Sequence, residues 1–378
     1  MDKLDAVIIG AGSIGLWTAY KMARGGRKVA LVGPTHMPSG TFASAGNLGP
    51  VAGVTGFDSS MEGVDHVEAL RTFWSLAVES LRSFEEISKD IDVELKRSGI
   101  LRVYTDESLL SDHLGSLDKM KAELGLSYRM LDAGECLDRE PLLSNRILSG
   151  IYYPDDYWVN PSKVVGGIRS ELQSMGVPVY DEVVSSFSKN GPRILSVRTS
   201  SGELRADDYV LATGAYARPI GETLGLEVPI YAGRGHALIS GPLDARLKQS
   251  VLSCAELQVG INQSQAGSLR VAGLIRISDV TSPVEPSMYD DLLAAASEYL
   301  PMVKKVRWTE RLVGSLPCPP DRLPIIGRAA KVENLIFGAG HCGAGMILGP
   351  ITGEMITSVA SGSNDAVPEL FAPSRFGL

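Results

Sequence analysis

AVIIGAGSIGLWTAY, residues 6–20, joins a short apolar run to a helical stretch through a glycine turn. Ala6 to Ile9 reads as a strand, Leu16 to Arg24 as a helix, and Lys28 to Val32 as a second strand, so the chain opens with a βαβ unit. Gly10, Gly12 and Gly15 form GxGxxG between strand and helix, the context that separates this pattern from chance. The first glycine permits the tight turn, the second lets backbone approach a pyrophosphate, and the third lets helix pack on strand. The helix N-terminus then faces the phosphates. The motif alone leaves open whether the dinucleotide is FAD or a nicotinamide, and a glycine turn without a ligand is the plain alternative.

An acid about 20 residues on should bind the adenosine ribose. Here KVALV is followed by Gly33, Pro34 and Thr35, so that carboxylate is missing and recognition passes to backbone groups or to Thr35. NADP is disfavoured, because its ribose phosphate wants a nearby arginine and only His36 follows.

At 378 residues with 44% apolar and 21% charged content, the chain is long enough for two or three globular domains. A net charge of -8 with no block of like charge disfavours a nucleic-acid partner. Cys136, Cys254, Cys318 and Cys342 lie far apart with no CxxC or Cys/His ligand spacing, so neither a metal site nor a disulfide framework is expected and a reducing cytoplasm is the simplest home. Cleavage of a signal peptide would destroy the glycine motif. Near the other end, NLIFGAGHCGAGMILGPITGEMI, residues 334–356, is long enough to raise the question of a membrane span. Its six glycines, proline and histidine argue against one.

Between these ends, Val67, Leu70, Trp74, Leu81, Phe84 and Ile87 recur at helical spacing, predicting a long amphipathic helix within 62–91. Ile100–Tyr104 and 150–153 read as strands, and 107–124, 161–175 and 286–300 as helices, the second begun by Pro161. KNGP and SSGE between 177 and 211 mark hairpins. Residues 229–316 are mostly strands. The expected fold class is α/β, α+β overall: a Rossmann-like dinucleotide domain with an inserted β-rich domain whose chain leaves and rejoins the first.

SGTFASAGNLGP (39–50), VLATGAYA (210–217), PPDRLPIIG (319–327) and the glycine-rich 334–356 run follow one another in an order that resembles the D-amino-acid oxidase superfamily of FAD-dependent oxidoreductases. The 39–50 stretch is most similar to D-amino-acid dehydrogenases and their glycine-oxidase and sarcosine-oxidase relatives. The resemblance implies non-covalent FAD held by Gly10, Gly12, Ser13, Ile14, Gly15 and Gly33. Ala43, Ser44, Ala45, Gly46 and Asn47 would line the isoalloxazine, Val183 or Val184 the adenine, and Thr213 with Gly214 the first glycine loop. Gly340, Cys342, Gly343, Ala344, Gly345 and Met346 would pass over the flavin, with a helix from about Ala344 aiming its positive end at the ring. It implies domains at 1–89, 155–225 and 319–378 for FAD and at 90–154 and 226–318 for substrate.

Relatives that tether flavin through cysteine do so before the PD motif, so Cys342 reads as a packing thiol. His341 reads equally as a flavin or substrate contact and as an imidazole satisfied by backbone.

The substrate pattern departs from the family. Relatives carry an arginine for the substrate carboxylate in a GxRP run, where this chain has Leu316 in GSLPCPPD. Arg276, in AGLIR where relatives have AGTxE, is a candidate replacement cation, against a plain surface ion pair such as one to Asp279. His236 in GRGHALIS is a second candidate, and Asn47 and His341 complete the candidate catalytic set. Tyr152, Tyr153, Tyr157 and Trp158 read as core first and as pocket wall second. The implied activity is oxidation of the C–N bond of a small amino acid or amine by hydride transfer, with the imine then hydrolysed. The competing readings are a 2-hydroxy-acid dehydrogenase and a flavin-binding subunit of a larger complex. No metal and no transmembrane segment are expected, and a homo- or hetero-oligomer is compatible with all of this.

Overall fold

A computed structural model describes residues 3–34, 39–54, 65–253 and 259–378. Leu4–Ile9 leads into the Ser13–Arg24 helix and then the Val29–Val32 strand, paired in parallel with Ile9 beside Val32. The helix begins three residues before the expected Leu16, because the last part of the glycine motif already has helical backbone. These strands lie in a six-stranded sheet ordered Ile325–Arg328, Leu335–Ala339, Ala206–Leu211, Leu4–Ile9, Val29–Val32, Val179–Tyr180. All neighbours are parallel except the first pair. Both faces are covered, which is why VALV and LIFGA read as unbroken apolar runs.

A second sheet of eight strands collects the rest of the β-rich sequence. Its order is Trp308–Cys318, Tyr231–Pro242, Ser268–Ser278, Gly260–Gln263, Ser250–Leu252, Ile100–Tyr104, Ser149–Tyr153, Arg129–Asp132. Strands from 100–153 thus join strands from 231–318, as expected of a chain that leaves one sheet and returns. KNGP and SSGE turn a small three-stranded sheet of Ser186–Asn190, Arg193–Thr199 and Gly202–Leu204.

The long amphipathic helix is His66–Ile87, N-capped by Asp65, which accepts from the N–H groups of Val67 and Glu68. Glu107–Leu124, Pro161–Ser174 and Ser287–Tyr299 also fall where helical spacing put them.

The apolar C-terminal run is a buried strand, a loop and a core helix, and among the described residues no helix is long and apolar enough to cross a membrane. The helix is Gly349–Ala360, beginning five residues after the expected Ala344, since residues 342–348 are still turns. It lies against the first helix so closely that a Cβ on Gly349 would come within 2.6 Å of both Ser13 Oγ and the Trp17 ring.

One expectation fails outright. Cys318 and Cys342 are disulfide-bonded, joining the end of the Trp308–Cys318 strand to the glycine loop 24 residues later. Cys342 is therefore not a free packing thiol. Cys136 is free and buried, and Cys254 lies outside the described residues.

Candidate active site

Between the carboxyl ends of the parallel strands and the eight-stranded sheet runs a cavity of about 660 Å³, within the range of organic cofactor sites. Its position follows from the first turn. Gly10 has φ +113°, and a Cβ there would lie 2.2 Å from the Ala212 carbonyl oxygen, so only glycine lets the turn after Leu4–Ile9 pack against the end of Ala206–Leu211. Gly33, the position expected to carry the ribose acid, leaves no room for one: its Cβ would lie 2.4 Å from Ala11 N. The carboxylate among the described lining residues is instead Glu182, which accepts from Ser201 N at 2.9 Å. Hydroxyls of Ser200 and Ser201 hold its pKa down to about 2. Thr35 and His36 lie outside the described residues.

Gly12, Ser13, Ile14, Val183, Val184, Thr213 and Gly214 line the cavity with Gly10 and Gly33. The Ser13–Arg24 helix points its first turn there with no acidic residue in that turn and no side-chain cap from Gly12. Ala43, Ser44, Ala45 and Asn47 line the next stretch. That loop is held from behind: Arg270 donates to the carbonyls of Phe42 (2.9 Å) and Ser44 (3.1 Å), Trp158 Nε1 to Ala45 O (2.8 Å), and Asn262 to Ala45 O and Asn47 Oδ1 (both 3.1 Å). His341, Cys342, Gly343, Ala344, Gly345 and Met346 complete the wall, and Cys342 N donates to Pro317 O. Gly15, Gly46 and Gly340 stand behind this surface and do not line it. A Cβ on any of them would strike, respectively, Gly10 O, Val159 O or the Pro319 ring.

Among the described lining residues, buried polar atoms without a protein partner include Ser13 Oγ, Thr213 Oγ1, Ser315 Oγ and His341 Nδ1. Leaving such a group unmet costs about 1–3 kcal/mol. Four of them strung along one cavity fit an elongated ligand with polar groups over its length. His341 Nε2 is 3.0 Å from Thr352 Oγ1, and burial pushes its pKa down to about 3, so it presents a neutral imidazole.

Two candidate catalytic residues are not in the cavity. Arg276 is 63% exposed in its side chain and 3.6 Å from Asp291, a surface ion pair with a different acid from the Asp279 anticipated. Neighbouring Gly273 and Ile275 line the cavity instead. His236 is buried but packs edge-on against Tyr289 on the opposite face of its strand, while Gly235 lines the cavity. Tyr152, Tyr153, Tyr157 and Trp158 do not line it either.

The sequence reading passed over Arg102 and Arg322, the two basic side chains among the described lining residues apart from His341. Arg102 sits in ILRVY, five consecutive buried residues. A guanidinium in such a run is the signal that could have found it. Its Nη1 lies 3.1 Å from His113 Nδ1 and its Nη2 donates to Ala52 O at 3.2 Å. His113 also meets the Tyr153 hydroxyl at 3.1 Å, and burial together with the Arg102 charge pushes its pKa to about 3. Asp156 accepts from Val51 N and Ala52 N, yet burial pushes its pKa up to about 7, over the opposing pull of those bonds and of Arg102. Arg322, at φ +59°, comes off the turn beside the disulfide.

A profile of the FAD dependent oxidoreductases matches residues 5–359. The chain is 26% identical to a D-amino acid dehydrogenase of Rhizorhabdus wittichii over 96% of this chain and 98% of that protein. It is 27% identical to a glycine oxidase of Bacillus licheniformis over 96% and 94%. Among solved structures, glycine oxidase from Geobacillus kaustophilus superimposes with a TM-score of 0.85 at 22% identity, covering 98% of each chain. Iminodiacetate oxidase from Chelativorans sp. BNC1 does so at 0.84 and 23%, covering 97% and 98%.

Proposed function

The chain belongs to the FAD dependent oxidoreductase family, and from that premise we propose that it oxidises the C–N bond of a small amino acid or amine to an imine, which water then hydrolyses. The observation that carries this is the single cavity lined by the first glycine loop, the 43–47 loop and the 341–346 loop, with unmet polar atoms along it. D-Amino acid dehydrogenase and glycine oxidase, the relatives matched over nearly the full chain, support the substrate class.

FAD, when bound, supplies the two-electron acceptor that takes hydride from the carbon beside nitrogen. The chain's own residues bind and orient. Gly10, Gly12, Ser13 and Ile14 would hold the pyrophosphate at the helix N-terminus, and Glu182, Val183 and Val184 the adenosine end. Ala43, Ser44, Ala45 and Asn47 with Cys342–Met346 would flank the ring, and His341 would offer its Nδ1. No lining carboxylate stands beyond Glu182 among the described residues, and His341 is too weak a base at neutral pH. The substrate amine must therefore lose its proton before the C–H bond breaks.

We assign residues 1–89, 155–225 and 319–378 to FAD and 90–154 and 226–318 to substrate. A cytoplasmic location, expected from cysteine spacing, must now accommodate the Cys318–Cys342 bond. In that compartment such a bond is one that redox partners make and break.

The test is the visible absorbance of purified protein, followed anaerobically as candidate amino acids and amines are added, with ammonia assayed afterwards. Bleaching with ammonia release is expected. Bleaching by 2-hydroxy acids alone would move the function to that class, and a colourless protein that takes up no FAD would end the proposal.

A further inference from the structure

We propose that the substrate carries an apolar group of several carbons, which lies in a trough floored by Gly233 and Gly235 and walled by Leu316 and Ile275. This rests on the amine-oxidising reading above and narrows its substrate to one bearing such a group.

The argument begins with a bulge. The Tyr231–Pro242 and Ser268–Ser278 strands pair Arg234 with Arg276 and then His236 with Gly273, so Leu274 and Ile275 together oppose Gly235. Leu274 takes up the irregularity at φ +50°. The extra residue reverses the alternation beyond it: Ala272 lines the cavity, and so does Ile275 three residues on, in place of Leu274. Two residues further along, Ile277 stands on the same face as Ile275.

Register carries that face across three strands. Ile277 pairs with Gly233, and Gly233 with Leu316, in one row. Directly paired residues share a face of the sheet. Tyr231 precedes Gly233 by two residues and stands on the same side. The opposite face is already covered, since His236 meets Tyr289 and Arg276 meets Asp291, both on the Ser287–Tyr299 helix.

The glycines give the trough its shape. A Cβ on Gly235 would lie 3.4 Å from Leu316 Cδ1 and 3.6 Å from Ile275 Cγ1, which reach it from the strands on either side. Without that carbon a slot remains between the two side chains, wide enough for a hydrocarbon chain. Gly235, Leu316 and Ile275 line the cavity, so the slot opens from it. Ile275 is 43% exposed, Tyr231 51% and Ile277 87%, so the same face continues from the cavity out to solvent. Single exposed apolar side chains are ordinary, but these share one face and adjoin a cavity wall.

The experiment uses FAD-loaded protein and its G235A, I277S and M130S variants. Straight-chain 2-amino acids of both hands, from alanine to 2-aminooctanoate, and the matching primary amines are compared by kcat/KM, and the mass of each protein is measured by sedimentation. In the parent, kcat/KM should rise about three- to fourfold per added methylene over the first few carbons, the gain from moving each one out of water. In G235A the new carbon fills the slot in ordinary contact with its neighbours, and the advantage of the longest substrate over the shortest should fall at least about tenfold. In I277S only the last increments should shrink, and this exposed position carries the test should G235A lose FAD. Met130, exposed on the strand at the far edge of the same sheet, is the control, and M130S should match the parent. A parent with no gain along either series, or the same gain in G235A and I277S as in the parent, would overturn the inference while leaving amine oxidation standing. An unchanged gain together with a parent dimer that I277S splits would overturn it too, and give the face to an interface between copies. A parent that oxidises neither amino acids nor amines would remove both readings.

Discussion

His341 Nε2 and Thr352 Oγ1 lie 3.0 Å apart, joining the glycine loop to the C-terminal helix, and burial holds that imidazole neutral with its pKa near 3. His113, buried against the Arg102 charge, is held to a similar value. Both folded values lie below the ordinary 6.5, so beneath that pH the unfolded chain binds more protons and stability drains as pH falls from 6.5 toward 3. Asp156 works the other way. Its carboxyl is raised to about 7, so the stability it contributes is lost as pH rises from about 4 to 7.

Denaturant unfolding between pH 4 and 6.5 should therefore separate His341 from Asp156. H341Q should remove one proton's worth of the rise in stability with pH, about 1.4 kcal/mol per pH unit, and D156N should steepen that rise by a comparable amount. Parallel profiles for parent and both variants would contradict the assignments.

Gly10→Ala should weaken FAD binding by at least about tenfold, because the new Cβ meets the Ala212 carbonyl at 2.2 Å in a left-handed backbone and the wall must open. Gly26→Ala is the control: its φ is +80° but nothing lies within 4 Å, so it should cost roughly 1–2 kcal/mol of stability and leave FAD content unchanged. Flavin fluorescence released on denaturation measures both.

Cys318 and Cys342 should resist alkylation until a reductant is added. Cys318→Ser should lower stability by about 3 kcal/mol, from the 24-residue loop that the bond closes. Peptide mapping with and without reductant checks the pairing, and prompt alkylation of both thiols in the untreated protein would refute it.

With no lining carboxylate beyond Glu182 among the described residues to take a proton, kcat/KM should climb with pH along the titration of the substrate's own amine. Two substrates whose amines titrate at different pH should give profiles displaced by that difference. A common inflection for both would point to an enzyme base.

Much of this architecture was legible because it rests on local rules. The apolar run, the glycine spacing and the helical period fixed the βαβ unit and four further helices to within a few residues. The cavity wall was legible where backbone shape dictates sequence, as at Gly10 and in the 43–47 loop. Long-range register was not legible. Arg102 gains its place from pairing with Leu252, 150 residues away, and Cys318 meets Cys342 only because a strand end abuts a loop. Arg276 failed for a related reason. Leu274, at φ +50°, interrupts the regular alternation, and Arg276 faces away from the cavity that Ile275 lines.

The parallel sheet has an order of assembly written into it. Leu335–Ala339 pairs with Ala206–Leu211, and the 341–346 loop hangs from it, so this wall of the cavity is synthesised well over 100 residues after the strand that supports it. At ordinary rates of synthesis the central strands wait on the order of ten seconds with one apolar edge unpaired, an interval in which a chaperone has something to hold. Cofactor loading then waits on residues 335–346, and a chain truncated before residue 335 leaves that edge unsealed.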